Sequence, residues 1–435
     1  MSNGIWGEKV FKEWLEDEKQ WRLITDIRAW SDEDMTRHLS RDPMYLSAHL
    51  ISSHTAGYRE YITSDLPEQS YGLGTLDKFP GEILDYILGC LEPDWLETFG
   101  RTCKLARYFS AHQTGLVMLR KWAPMVPPII RCVGLGRDHS INQIICEFRY
   151  AYCRSCGLRG TLLFLPTCER LCENCAYYNQ AYWGIEIFRA IKAFALPATF
   201  VHKLPIMLST KYVWLGSEPL CQKIDPTEFV AVKSVKAAAL KVHGTQKNLD
   251  LEAENIIPDR FRRPTTLDMN ESIRYRFFRV ANLDPLNADM ALLKSLPETH
   301  DPMPPWEGYY GRTTTLLPTL PHGSKKPLQT YRCAGCWSIC SSPFEITSQQ
   351  YEMLGVDPDA RTFDKARILC GRTSLTYTVE ELRRHVAGCF GAKLLMYRQS
   401  VLEKKRKEKK EDKYAFLLTR PRKPNNWVNL LGPSL

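Results

Sequence analysis

The sequence predicts a mainly α chain of α+β class, and three observations carry that prediction. Apolar residues recur at the 3.6-residue period across most long segments, above all between Thr75 and Gln113. Strand-like content is confined to short runs such as Thr161–Leu165. Cysteine pairs stand beside those runs, in a chain of 435 residues with 44% hydrophobic and 25% charged side chains. That is ordinary globular composition with room for several domains.

Residues 1–72 read as a helical extension. Trp6, Val10, Trp14 and Trp21 fall near helical spacing, and Ser31 with Asp34 marks a helix start before Met35 and Leu39. His38, His49 and His54 have no cysteine partners nearby and read as surface or packed residues. Gly72, Gly74 and Thr75 form a hinge into residues 73–115.

That next segment reads as three short helices. Pro80 suits a first helical position, and Glu82 adds a carboxylate to the positive end of the first turn. Ile83, Leu84, Ile87, Leu88 and Leu91 make one apolar stripe. Glu92 precedes Pro93 and stops the helix. Asp94 is expected to cap the second helix, which carries Trp95, Leu96 and Phe99, and Thr102 the third. Three helices this short cannot bury their apolar side chains on one another, so part of the stripe must pack elsewhere.

Leu76, Phe79-Pro80, Glu82, Ile83-Leu84, Ile87, Leu91, Leu96, Thr102-Cys103 and Leu105 together resemble an F-box. Phe79 before the proline and Trp95 between Asp94 and Leu96 depart from the family's pattern. The resemblance covers roughly a tenth of the chain. It implies docking on a Skp-class adaptor of a cullin–RING ubiquitin ligase, with Leu76, Phe79, Pro80, Ile83, Leu84, Ile87, Leu88, Leu91 and Leu96 in the F-box core or facing the adaptor. Sequence does not separate those two roles.

Residues 116–150 read as a packed connector, with Pro124, Pro127, Pro128, Gly134 and Gly136 breaking it. Within it, Ile144 to Tyr152 has the β-branched and aromatic content of a strand. A region of residues 151–300 follows. It opens on Cys153-x2-Cys156 and Cys172-x2-Cys175, with 15 residues between the pairs. Each CxxC turn presents two sulfurs about one tetrahedral edge apart, so the two pairs complete a four-thiolate zinc shell. A redox pair is the rival reading. A closed shell has no open position, which implies a structural ion. Cys168 is a fifth thiol, either a substitute for Cys172 or a small buried hydrophobe. Thr167 to Cys175 resembles the Cys-x-Arg-x-Cys-x-x-Cys element that follows the F-box in many fungal F-box proteins, and Leu204-Pro205 fits the order of that group. Later helices are expected at Tyr182–Leu196, with Ile185, Phe188, Ile191 and Phe194 inward, and from Thr227 to about Val242, stopping at Gly244. Arg260, Arg262 and Arg263 read as a solvated turn.

Residues 301–329 read as a Pro/Gly-rich linker. A zinc-finger-like domain at residues 330–400 then offers Cys333, Cys336, His385 and Cys389. The last two stand four apart on one helix face, although 48 residues separate the halves. The same fungal group shows a terminal CxxC and a helical His-x3-Cys. Cys340 and Cys370 are spare thiols.

The net charge of +9 is uneven. Twelve Lys/Arg against four acids between Lys393 and Pro424 give +8, whereas residues 1–75 carry −5. Lys404 to Lys410, within the basic tail 401–435, is a solvated helix end, a nuclear-import run or a phosphate contact. No run of about 18 apolar residues occurs, so no membrane span is expected. The charged N-terminus does not resemble a signal region, which points to the nucleus or cytoplasm, with thiols reduced or metal-bound. No nucleophile triad, phosphate loop or paired carboxylates stand out, so a non-catalytic receptor subunit recruiting an unknown protein is expected. A zinc-containing nucleic-acid or chromatin-binding protein using the tail is the alternative. No zinc ligand lies within residues 75–113, so adaptor docking and the knuckle are expected to be independent.

Overall fold

A computed structural model describes residues 26–41, 72–208, 212–215, 218–223, 227–256, 279, 313–340, 348–359, 368–369 and 371–407. The expected helix around Trp6–Trp21, His49, His54, the arginines at 260–263, Pro302 to Gly311, Cys370 and the tail beyond Lys407 lie outside those residues. The described residues are mainly helical. None of their helices is long and apolar enough to cross a membrane. The chain divides into two units, a central one and one built from both of its ends.

The first described segment belongs to the unit built from both ends. A 3-10 turn, Ile27–Ala29, leads into α1 (Asp32–Leu39) and β1 (Ser40–Arg41). Ser31 Oγ accepts the Asp34 N–H at 3.0 Å, which starts α1 as expected, and Met35 and Leu39 are buried. His38 packs edge-on to Trp30, with ring centroids 6.1 Å apart, in a packing role.

The central unit opens with α2 (Gly81–Gly89), α3 (Pro93–Gly100) and α4 (Lys104–His112), the three helices expected. Their caps differ. Glu92, not Asp94, is the N-cap of α3, with Pro93 at its first position; Asp94 instead pairs with Arg131 and Arg137 at 3.6 Å. Cys103, not Thr102, caps α4, its Sγ accepting the Ala106 N–H at 3.3 Å. The Thr102 hydroxyl turns back and donates to Phe99 O at 2.7 Å.

Three more helices occupy the stretch read as a connector: α5 (Thr114–Trp122), α6 (Val126–Cys132) and α7 (Ile141–Arg149). Pro127 and Pro128 sit in the first turn of α6, where a missing N–H costs nothing. The expected strand at Ile144–Tyr152 is instead mostly α7. Ser140 Oγ accepts the Gln143 N–H, and Ile141, Ile144, Ile145 and Phe148 follow the i, i+3, i+4, i+7 period into the core. Helical period thus prevails over β-branched content. Gly115 lets α5 and α7 cross closely, since a Cβ there would stand 2.9 Å from both Ile141 and Ile145. These helices share one core of Leu84, Leu88, Leu96, Leu119, Ile130 and Ile144, which also takes in Leu163, Leu165 and Leu317.

A small sheet continues the unit. β2 (Leu162–Phe164) pairs antiparallel with β3 (Glu169–Leu171), and Cys172 caps the short helix α8 (Glu173–Tyr178). The expected helix from Tyr182 begins instead as β4 (Gly184–Glu186) and becomes helical only at α9 (Ile187–Ala193). Ile185 is buried on the strand, while Phe188 faces outward beneath Lys192. α10 (Ala198–Val201), β5 (Met207–Leu208) and the hairpin β6 (Tyr212–Leu215) and β7 (Glu218–Lys223) follow. Thr227 opens not a helix but β8 (Glu228–Ala231), which lies between β4 and β5. α11 (Val232–His243) then ends at Gly244, whose φ of +80° makes it the terminator expected, and α12 (Gln246–Ile256) closes this part. The linker reading is corrected over its described part: β9 (Thr314–Leu316) adds to β2 with Leu162 opposite Leu316, and Leu317 and Leu320 are core.

The remaining unit contains β10 (Arg332–Cys333), α13 (Ala334–Cys340), α14 (Ser348–Met353), α15 (Val379–Gly388) and α16 (Phe390–Lys407). Thr378 and Glu381 form a reciprocal capping box that starts α15. α13 and α16 cross at Gly335 and Gly391, where a Cβ on either would meet backbone atoms within 2.6 Å. Strand β10 pairs with β1, Ser40 opposite Cys333 and Arg41 opposite Arg332. Residues 26–41 are therefore integral to this unit, although sequence places them in a separate extension. Ile27, Met35 and Leu39 share its core with Leu382, Val386 and Met396.

Candidate metal centres

The first cysteine pair sits on a tight hairpin. Tyr152 bridges Arg159, the Cys153 N–H donates to Leu158 O at 2.6 Å, and the Gly157 N–H donates to Cys153 O at 3.0 Å. Gly157 has φ +71°, a backbone state that glycine adopts without strain. The Ser155 N–H points at Cys153 Sγ at 3.4 Å. The second pair is delivered by β3 and α8. Cys172 is the helix cap and Cys175 lies in the first turn, its N–H 3.4 Å from Cys172 Sγ.

The ligand atoms of Cys153, Cys156, Cys172 and Cys175 all lie within 4.8 Å of one another, and the Cys156 and Cys172 sulfurs are 3.6 Å apart. A tetrahedral thiolate shell with ~2.3 Å metal–sulfur bonds has edges of about 3.8 Å, so the donor set fits a metal ion. The four thiols perturb one another's protonation in both directions. Cys153 is held below the usual thiol range, chiefly by the Cys156 and Cys172 thiols. Cys175 is pushed up, chiefly by Cys153 and Cys156. Two thiolates this close repel by about 4–5 kcal/mol at an effective dielectric of ~20, so four together require a cation.

Cys168 is not part of this shell. It turns at φ +52° between β2 and β3, buried among Leu163, Leu165 and the helical core, and burial pushes its thiol up. Arg170, two residues on, is a residue that sequence reasoning quoted only as part of a motif. Its side chain is fully buried. Nε donates to Glu147 O, Nη1 to Gly160 O and Leu317 O, and Nη2 to Pro318 O, all at 2.7–2.9 Å. Burial pushes the guanidinium down to about 9, still charged at neutral pH. Gly160 has no side chain because a Cβ would stand 2.6 Å from Arg170 Cγ.

The second centre brings together Cys333, Cys336, His385 and Cys389 across their long interval, again with all ligand atoms within 4.8 Å. Cys389 Sγ lies 3.8 Å from Cys333 Sγ and 3.6 Å from Cys336 Sγ, while His385 Nε2 is 3.3 Å from Cys336 Sγ. β10 and α13 carry the first two ligands. His385 stands in the last turn of α15 and Cys389 just past its end. Tyr377 stacks on the His385 ring at 4.6 Å, with its hydroxyl 3.2 Å from Nδ1. Nε2 faces the sulfurs, and the stacked Tyr377 ring with its hydroxyl beside Nδ1 holds the imidazole in that orientation. Cys340 packs instead near Ile339, Tyr351 and Leu394.

The residues of the expected docking segment divide into two sets. Leu84, Leu88 and Leu96 are buried, and Leu76, Ile87 and Leu91 are half-buried. Phe79, Pro80 and Ile83 are exposed, as are Tyr86 at 68% and Trp95 at 52%. Tyr86, three residues after Ile83 on the outward face of α2, was legible from helical spacing. No family model, curated protein or solved structure matches the chain.

Proposed function

We propose that the chain is an F-box substrate-receptor subunit of a cullin–RING ubiquitin ligase. It docks on a Skp-class adaptor and recruits another protein for ubiquitination. The observation that carries this reading is the split of α2. Leu84 and Leu88 anchor it in the core, while Phe79, Ile83 and Tyr86 keep large apolar surfaces in solvent. A helix already anchored on one side has no folding reason to expose Ile83 and Tyr86, with Phe79 exposed just before it, and clustered exposed apolar groups mark interaction sites. The resemblance of Leu76 to Leu105 to an F-box supplies the partner class.

Both metal centres hold zinc in this reading. Four thiolates, or three thiolates and one imidazole, at tetrahedral spacing are soft donors that select zinc over harder divalent ions. The shells are closed, so the ions brace the fold and leave substrate binding to the surrounding surface. Affinity purification of the full chain, followed by mass spectrometry, tests the assignment. A Skp-class adaptor and a cullin are expected to copurify with it. A folded, metal-loaded chain that recovers neither overturns the assignment.

A further inference from the structure

In the second centre, every element that carries a ligand also holds part of the N-terminal segment 26–41. Strand β10 pairs with β1, placing Ser40 opposite Cys333 itself. The Arg41 guanidinium lies 4.3 Å from the ring of Trp337, the residue after Cys336 on α13. Arg383, two residues before His385 on α15, donates to the carbonyls of Ile27 and Trp30 at 2.9 Å and to Asp32 Oδ1 at 2.5 Å. Ile27, Met35 and Leu39 fill the space between these contacts, in one apolar cluster with Cys333, Cys336, Leu382, Val386 and Met396.

We propose that residues 26–41 are an intramolecular strap whose docking is thermodynamically linked to metal binding at Cys333, Cys336, His385 and Cys389. Release of the ion undocks the strap and uncovers an apolar groove lined by Leu382, Val386, Ala392 and Met396. A two-residue ladder, the Arg383 bonds, the Arg41 contact with Trp337 and three buried apolar side chains must together offset the entropic cost of ordering sixteen residues, and all of them land on β10, α13, α15 and the helix after it. Each of these contacts depends on the relative position of the elements that carry the ligands. That position is fixed while the four ligands join β10 and α13 to the end of α15. Linkage is reciprocal: the factor by which the bound ion tightens the strap is the factor by which the docked strap tightens the ion, so losing the strap weakens the site. This inference concerns regulation of the chain and does not depend on the adaptor reading.

The test uses the full chain with zinc as the metal, a graded chelator, thiol alkylation to map which cysteines are freed, and amide exchange over residues 26–41. Arg383→Gln combined with Leu39→Ala is expected to free Cys333, Cys336 and Cys389 at a chelator concentration at least tenfold below that of the parent. Cys153, Cys156, Cys172 and Cys175 are expected to be freed as before, which gives an internal control. Cys389→Ser is expected to lower amide protection over 26–41 at least tenfold and leave α2 to α7 unchanged. A strap variant that keeps its second ion as firmly as the parent overturns the proposal. So does a Cys389→Ser chain whose segment 26–41 stays protected.

Discussion

Glu147 and Arg170 are tied to each other twice. The Glu147 carboxylate accepts the backbone N–H of Arg170 at 2.8 Å, and Arg170 Nε donates to the backbone carbonyl of Glu147 at 2.8 Å. The pair joins α7 to β3, and the rest of the guanidinium reaches Gly160 and the strand exit at Leu317 and Pro318. Arg170→Ala would strand four carbonyls and leave a cavity. It is expected to lower the stability of the central unit by about 3–5 kcal/mol, measured by denaturant unfolding. Arg170→Lys should recover little, since one ammonium cannot reach carbonyls on three sides.

Cys175→Ser should reduce the zinc content from two ions per chain to one. Structural zinc in small finger-like sites contributes roughly 10–16 kcal/mol of apparent binding energy near neutral pH, so the knuckle should lose its shape. This site and residues 75–113 are not separate in packing. Leu163 and Leu165, between the two cysteine pairs, share a core with Leu84, Leu88 and Leu96. The thermal transition of the whole central unit should therefore fall with the ion. A variant retaining both ions, by elemental analysis, would remove the first site.

Leu84 and Ile83 allow folding to be tested apart from the proposed docking. Leu84 is 3% exposed, so Leu84→Asp buries a charge and should destabilise the unit by several kcal/mol. Ile83 is 47% exposed, so Ile83→Asp should leave the unfolding midpoint within about 0.5 kcal/mol. Its adaptor capture in a pull-down should nevertheless drop at least tenfold. Equal capture by Ile83→Asp, Tyr86→Asp and the parent would move the docking surface away from α2.

His139 gives the central unit a pH dependence of definite sign. The ring is buried, with Nε2–H donating to Leu165 O at 2.6 Å, and burial holds its pKa below the ordinary value near 6.5. Below that value the unfolded chain binds a proton that the folded chain excludes. Its contribution to stability is thus fully present above about pH 6.5 and declines as pH falls toward the native pKa, at no more than about 1.4 kcal/mol per unit. Denaturant midpoints at several pH values should show a shallower decline for His139→Gln than for the parent.

How much of this was legible in the sequence depended on the range of the interactions. Ser31 with Asp34, Gly244 and the two CxxC turns are local devices, and each stands where its spacing puts it. Ile144 to Tyr152 reads as a strand yet forms a helix, because the same β-branched residues also satisfy a helical period, which Ser140 initiates. β4 and β8 read as helix in the sequence because their pairing is non-local and Gly184 and Phe229 carry no local sign of it. The division of α2 between Leu84 and Ile83 was hidden for a similar reason. Both fit one stripe, and only the position of α5 decides which is covered. Nothing in residues 26–41 announces that their partner strand lies at Arg332–Cys333.

That last pairing also sets an order in time. During synthesis, the roughly 290 residues between Ser40 and Cys333 must be made before the two can meet, which takes about 15–60 s at typical elongation rates. Over that interval Ile27, Met35 and Leu39 have emerged without the side chains that finally bury them. The central unit, by contrast, has its own partners at hand from Leu84 to Leu317. The unit that holds both ends of the chain is therefore the last to assemble, and a nascent chain stalled before Cys333 carries an N-terminal segment open to chaperones and proteases.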